Sequence, residues 1–389
     1  MKNTLKKTLS IVLCFCLMSF VLAFGSAAYN GFMLILGKTV VTEENMDDIF
    51  GDGTAKFVPG KNSGTLYLDN ASIEGEGTAI YCDVPLTIEL SGKNTVKANG
   101  EGALIGISAD DDVTVTGDGE LSVELGKNLG DFDSCVSYGI NAFGDFTIES
   151  GKVSVSVADA TGINGEDAVI GCVLCNNLFL NGGELVANAG DAVAQARSSA
   201  VTRGVVAIDK IAVAGGTLTA SCGKTKGNVE WLSSAVASLN EDGDWLVLSG
   251  DEEVVSPKSY SYGEYALLDE NGDSVTFAKI AEKTYTVFFD TDGGSTVEAK
   301  QVKKTDAVLA GVEAPVKEGF KFLGWVCGEK EVAEDDTFAS LADGESEITL
   351  TAAWEEEVPA NEQSEFAQFM TVLAMLLRLV FKFVMMVTK

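Results

Sequence analysis

Acidic residues recur at matched intervals in this chain: Asp83, then Asp110-Asp111-Asp112, Asp145, the amide pair Asn176-Asn177, and Asp209. Stacked at the ~4.8 Å spacing of neighbouring strands, such carboxylates repel one another unless they are protonated or bridged. Ca2+ takes about six to eight oxygen ligands and would relieve the repulsion. Asp110, Asp111, Asp112 and Asp145 are therefore the candidate Ca2+ ligands, and a solvated acidic turn is the competing reading. No other cofactor is expected. Tyr81, Phe143 and Tyr138 are the candidate ligand-contacting aromatics, with Tyr138 expected in a loop. Aromatic platforms of this kind are sparse along the chain.

Catalysis has little to work with. The chain has no His, and Arg occurs only at Arg197, Arg203 and Arg378. That removes the commonest general base and every His-dependent triad. A polysaccharide hydrolase needs convergent carboxylates, and a lyase needs a base beside Ca2+. Arg203, Asp209 and Lys210 fall near the acidic corner at a spacing no better than chance, so no catalytic residue is assigned. Nor is nucleic acid a partner. Lys and Arg number 27 against 58 Asp and Glu, giving a net charge of −31 that phosphates would repel.

Cys172 and Cys175 invite a metal or redox reading. Strand alternation puts residues three apart on opposite faces, Cys172 inward and Cys175 outward, so they cannot share an ion. Cys82, Cys172 and Cys222 read as small buried hydrophobes, with Cys135 in a loop and its pairing, like that of Cys327, open.

The elements that would position these residues are five stretches that align on one another. They begin at Leu86, Val113, Phe146, Leu178 and Ile211, at spacings of 27, 33, 32 and 33 residues. That range marks stacked repeats. Apolar residues alternate with polar ones in each, as in a strand with one buried face. Counting back six residues gives the column Ile80, Ile107, Ile140, Cys172 and Val205, and counting back four gives Cys82, Ala109, Ala142, Leu174 and Ala207. Leu121, Val153, Leu185 and Leu218 form another. The outward residues Phe143, Cys175 and Ile208 are expected to make an exposed apolar strip. The fold class is all-β, a right-handed parallel β-helix, or solenoid.

At the N-terminus Lys2, Lys6 and Lys7 precede an apolar run from Leu9 to Phe24 and the small residues Gly25-Ser26-Ala27-Ala28. This is the pattern of a secretory signal peptide over residues 1–28. A retained anchor is the alternative. The parallel β-helix with its N-terminal cap is expected over 29–230, and a closing coil and connector over 231–284. Around residues 29–225, GDGT at Gly51–Thr54, TLYLDNASI at Thr65–Ile73 and LTIELSGKNTV at Leu86–Val96 resemble solenoid-forming carbohydrate-binding surface proteins of Gram-positive bacteria. The resemblance implies polysaccharide, or a host or cell-surface glycan, as the partner.

Residues 285–356 read as a separate unit. Phe289-Asp290-Thr291-Asp292-Gly293-Gly294, Pro315 with Glu318-Gly319-Phe320, Gly324-Trp325 and Ala353-Trp354 resemble the internalin B-type repeat of Listeria and Bacteroides surface proteins. That implies a small β-grasp-like module without catalytic activity. Trp325 and Trp354 can supply most of so small a core.

An acidic linker and an amphipathic C-terminal helix complete the chain over 357–389. From Phe366 onward the more polar residues Gln368, Thr371, Met375, Arg378, Lys382 and Lys389 share one helical stripe. A helix of that length reaches about 33 Å, enough to cross a bilayer, but Arg378 would then sit near mid-depth. The favoured partner is a membrane surface, with a spanning tail and docking on protein as alternatives. The whole reads as a secreted or cell-surface adhesion protein that binds polysaccharide and is not an enzyme. A ligand-free structural stalk and, further off, a polysaccharide lyase or hydrolase are the alternatives.

Overall fold

The computed structural model describes residues 32–130, 135–195, 198–227, 231–239, 245–248, 254–255, 261–263, 266–268, 271, 273–357 and 360–387. The expected signal peptide lies outside them. The chain is mostly β and divides into two compact units between Glu282 and Lys283.

In the first unit, alternation sets the strands and stacking sets the core. Strand Leu86–Ser91 buries Leu86, Ile88 and Leu90 and turns Thr87, Glu89 and Ser91 outward. It pairs in parallel with strand Val113–Gly117, Leu86 opposite Val113. Val113 is opposite Phe146, Phe146 opposite Leu178, and Leu178 opposite Ile211. The five residues that begin the aligned stretches thus lie on neighbouring strands in one register. Strand Gly64–Asp69 adds a further member, with Gly64 opposite Leu86.

A second parallel ladder places Leu121, Val153, Leu185 and Leu218 in register. Its earlier member is polar: Asn94 stands opposite Leu121 and is buried. The amide is fully used there. Its Oδ1 accepts from the Ala71 N–H at 2.9 Å, and its Nδ2 donates to the carbonyls of Ser91 at 3.0 Å and Glu120 at 3.2 Å. A buried amide is tolerated when its hydrogen bonds are made, and here it ties three coils together.

The third ladder runs through strands Thr78–Cys82, Ala103–Ala109, Cys135–Ala142, Ala168–Leu180, Ala200–Val213 and Trp231–Leu239. Its inner column reads Ile80, Ile107, Ile140, Val173, Val205 and Val236. Val173 therefore takes the place expected for Cys172. Only five positions separate Val173 from Leu178, where six separate Ile140 from Phe146. A register shift between Cys175 and Asn177 absorbs the difference.

Four short parallel strands, Asn128–Gly130, Ala160–Gly162, Ala192–Ala194 and Thr225–Lys226, make a further ladder. Segments of two or three residues carry no alternation to read, and the sequence gives no warning of them. Antiparallel strands flank the parallel ladders at their ends. Leu34–Leu36 pairs with Thr78–Cys82, Ala55–Pro59 with Gly64–Asp69, and Phe277–Glu282 with Thr217–Cys222. Covering exposed edges in this way blunts pairing with other chains.

The second unit holds a mixed five-stranded sheet. In spatial order the strands are Lys300–Val302, Tyr285–Asp290, Glu347–Glu356, Phe320–Cys327 and Lys330–Glu331. Tyr285–Asp290 and Glu347–Glu356 pair in parallel. Its core is aromatic: Trp325 meets Phe289 and Phe322 edge-on at ring distances of 5.0 and 5.5 Å, and Tyr285 stacks on Phe338 at 4.4 Å. Trp354 donates from Nε1 to the Thr291 carbonyl at 3.0 Å. Gly294 has no room for a side chain, because a Cβ there would meet the Trp354 ring at 2.7 Å. A helix spans Ala360–Val387. Among the described residues no helix is long and apolar enough to cross a membrane.

Candidate functional site

The third ladder presents the expected ligand-contacting residues, but not as a set of exposed rings. Tyr81, Ser108, Asn141, Leu174 and Val206 occupy one row across successive strands. None belongs to the main hydrophobic cluster, whereas their neighbours Ile80, Ile107, Ile140, Val173 and Val205 do. The row therefore faces away from the core. Even so, Tyr81 is 8 % exposed. Its hydroxyl donates to Asp110 Oδ2 at 2.7 Å. Burial, reinforced by the Asp110 carboxylate, pushes the phenol well above its usual range. Ser108 Oγ and Asn141 Nδ2, side by side in this row, are buried without a hydrogen-bond partner among the described residues.

Tyr138 stands in strand Cys135–Ala142 rather than in a loop, and it is buried. Its ring lies against Gly171, where a Cβ would meet ring carbons at 2.8 Å. Burial raises its phenol, and the charge of Arg203 opposes that rise. Phe143 is the exception, 40 % exposed. It follows Ala142, which is paired with Ala109, and so lies one strand away from Asp110. Tyr81, Asp110 and Phe143 thus fall on one face, in or just after three neighbouring parallel strands.

The expected apolar strip of Phe143, Cys175 and Ile208 is interrupted. Phe143 and Ile208 are exposed, but Cys175 is buried and paired with Ala207 in an inward column. Cys172 is buried too, so both thiols face the core. The odd-even rule fails because the strand turns a corner at this point. Two consecutive positions point inward, Cys172 with Val173 in one coil and Gly139 with Ile140 in the coil before. A Cβ on Gly139 would run into the core residue Val155. Cys135 begins a strand and is buried, instead of lying in a loop. Cys82, Cys135, Cys172, Cys175, Cys222 and Cys327 are all free thiols. Burial pushes Cys82 and Cys222 up to about 12 and Cys172 and Cys175 higher still, and raises Cys135 as well, so all five are poor nucleophiles.

The acidic residues are held by hydrogen bonds, most of them between neighbouring strands or the turns that follow them. Asp112 Oδ1 accepts from the Asp145 N–H at 2.7 Å, and Asp145 Oδ1 accepts from Asn177 Nδ2 at 2.7 Å. Asp111 Oδ1 accepts from the Asp112 N–H at 2.9 Å, while Asp110 holds the Tyr81 hydroxyl. The device recurs at other corners: Asp159, Asp167 and Asp191 accept from the backbone N–H of Asp191, Ser199 and Lys224 at 3.1, 2.7 and 2.7 Å. Donors from a neighbouring strand answer Asp110, Asp112 and Asp145, and the adjacent Asp112 N–H answers Asp111; each bond offsets part of the repulsion between the carboxylates. Among the described residues no group of three or more His, Cys, Asp or Glu is arranged to hold a metal ion. Asp110, Asp111, Asp112 and Asp145 each accept the hydrogen bond described above.

Of the basic residues near this corner, Lys210 sits over the Phe179 ring at 5.0 Å. Asp209 is exposed on the same strand. Sequence reasoning missed the inward-facing turn at Gly139 and Cys172, for which the small residues Gly106, Gly139 and Gly204 at equivalent positions were the available signal.

The stacked parallel ladders define a mostly β protein. Residues 285–353, the sheet of the second unit, match the family model of the Listeria-Bacteroides repeat domain. No curated protein and no solved structure matches the chain.

Proposed function

We propose that this is a secreted or cell-surface binding protein, not an enzyme, that holds polysaccharide along the outer face of a right-handed parallel β-helix. The amphipathic C-terminal helix and the repeat domain are taken as its surface-associating parts. The observation that carries the reading is the succession of Tyr81, Asp110 and Phe143 over three neighbouring coils. Asp110 offers carboxylate oxygens to sugar hydroxyls, and the exposed Phe143 ring offers a face for the apolar side of a pyranose. Strands repeat at about 4.8 Å, so successive coils can follow successive residues of a polymer.

A glycan array on the chain lacking residues 1–28, followed by titration with the best oligosaccharide, tests this. Phe143→Ala should weaken binding about ten-fold, and Asp110→Asn by a similar factor. Retention of no glycan at all would overturn the reading in favour of a stalk. The burial of Tyr81 and Tyr138 favours that second reading, since rings packed against the scaffold serve stability before they serve a ligand.

A further inference from the structure

We infer that the Ala360–Val387 helix is an in-plane anchor for an anionic lipid surface. This rests on the surface-protein reading above but not on the sugar site. Large apolar side chains are exposed over most of its length: Phe369 is 62 % exposed, Leu373 38 %, Leu377 61 %, Val380 59 %, Phe381 67 % and Phe383 68 %. At 3.6 residues per turn these positions and their apolar neighbours cover roughly two-thirds of the circumference. A helix that docks on protein needs an apolar stripe of only about 100°. A wider arc matches immersion in acyl chains.

The remaining stripe carries the charge. Glu362 and Glu365 lie in the first two turns; from Ala367 to Val387, the stretch that carries the apolar arc, there is no Asp or Glu and the charged residues are Arg378 and Lys382, one turn apart. Anionic headgroups complement that stripe, whereas a second copy would bring like charge against like. The hydroxyl of Thr371, on the same side, donates to the Ala367 carbonyl at 2.8 Å, so its polar group is satisfied within the helix. Arg378 is exposed at the helix middle, which places it at headgroup level when the helix lies flat and at mid-depth if it crosses.

The test is co-sedimentation of the chain lacking residues 1–28 with vesicles of phosphatidylcholine alone or with about one-third phosphatidylserine. Binding should be stronger on the anionic vesicles, and Arg378→Gln should weaken it about five-fold there, with little change on neutral ones. Leu373→Asp with Val380→Asp should abolish binding to both while leaving the thermal unfolding of the β units unchanged, because both side chains are exposed. Failure of the parent chain to sediment with either vesicle overturns the proposal. So does helix-dependent self-association without lipid, which assigns the face to a second copy. Protease access to the two helix ends from opposite sides of the bilayer overturns the in-plane arrangement. Glycan binding is read separately with the Leu373→Asp, Val380→Asp chain, so loss of one activity does not mask loss of the other.

Discussion

Phe146→Ala is the sharpest test of the stacked core. The Phe146 side chain is 0 % exposed and stands between Val113 and Leu178 on the strands either side. Both neighbours are fixed by parallel ladders, so the hole left by the ring cannot collapse. Core Phe→Ala substitutions of this kind cost about 3–5 kcal/mol. For a unit of this size each kcal/mol lowers the melting temperature by about 2–4 °C, which gives a fall of roughly 6–20 °C. Phe146→Leu keeps a residue type already present in the column and should cost about 1 kcal/mol. Phe143→Ala, three positions away and 40 % exposed, is the control and should cost about 0.5 kcal/mol or less. Circular-dichroism melts of the three variants give the comparison. Because damage in a stacked repeat stays local, limited proteolysis of Phe146→Ala should also open sites in the neighbouring coils first. A Phe146→Ala protein melting within about 2 °C of the parent, or a larger loss from Phe143→Ala, would refute the assignment of this column to the core.

Three further substitutions probe other parts of the molecule. Asn94→Ala leaves the buried Ala71 N–H without its acceptor and should cost about 1–3 kcal/mol in urea unfolding; a neutral result would mean the amide ties no coils together. Asp83 is held above the usual carboxylate range chiefly by burial, against the Met33 N–H that its Oδ1 accepts at 2.7 Å. Its contribution to stability is therefore present below the ordinary value of 3.8 and is lost as pH rises through the elevated folded value. Asp83→Asn keeps the acceptor and should raise the melting temperature at pH 7 and not at pH 3, and a fall at pH 7 would count against the burial argument. Trp354→Ala removes a half-buried ring and its bond to Thr291 and should cost the second unit about 3 kcal/mol, seen as loss of near-ultraviolet signal.

Much of this was legible from residue order alone. Alternation in Leu86–Ser91 and its copies fixes which side chains turn inward, and the near-constant spacing fixes which coil lies over which, because a parallel ladder requires equivalent residues to meet. The second unit was equally readable, since its glycine turn and tryptophans are positions where few other residues fit. Tertiary structure alone decided the rest. The inward turn at Gly139 and Cys172 puts two successive side chains into the core, so parity counting sent Cys175 to the wrong face. Likewise the sequence shows where Asp112 and Asp145 fall, but only the pairing of neighbouring strands presents the Asp145 N–H to Asp112 and the Asn177 side-chain amide to Asp145, and leaves Tyr81 packed against the scaffold while Phe143 reaches solvent. Side-chain periodicity is local and survives in sequence; corners and the donors they bring together depend on contacts between coils some 30 residues apart, which no local pattern records.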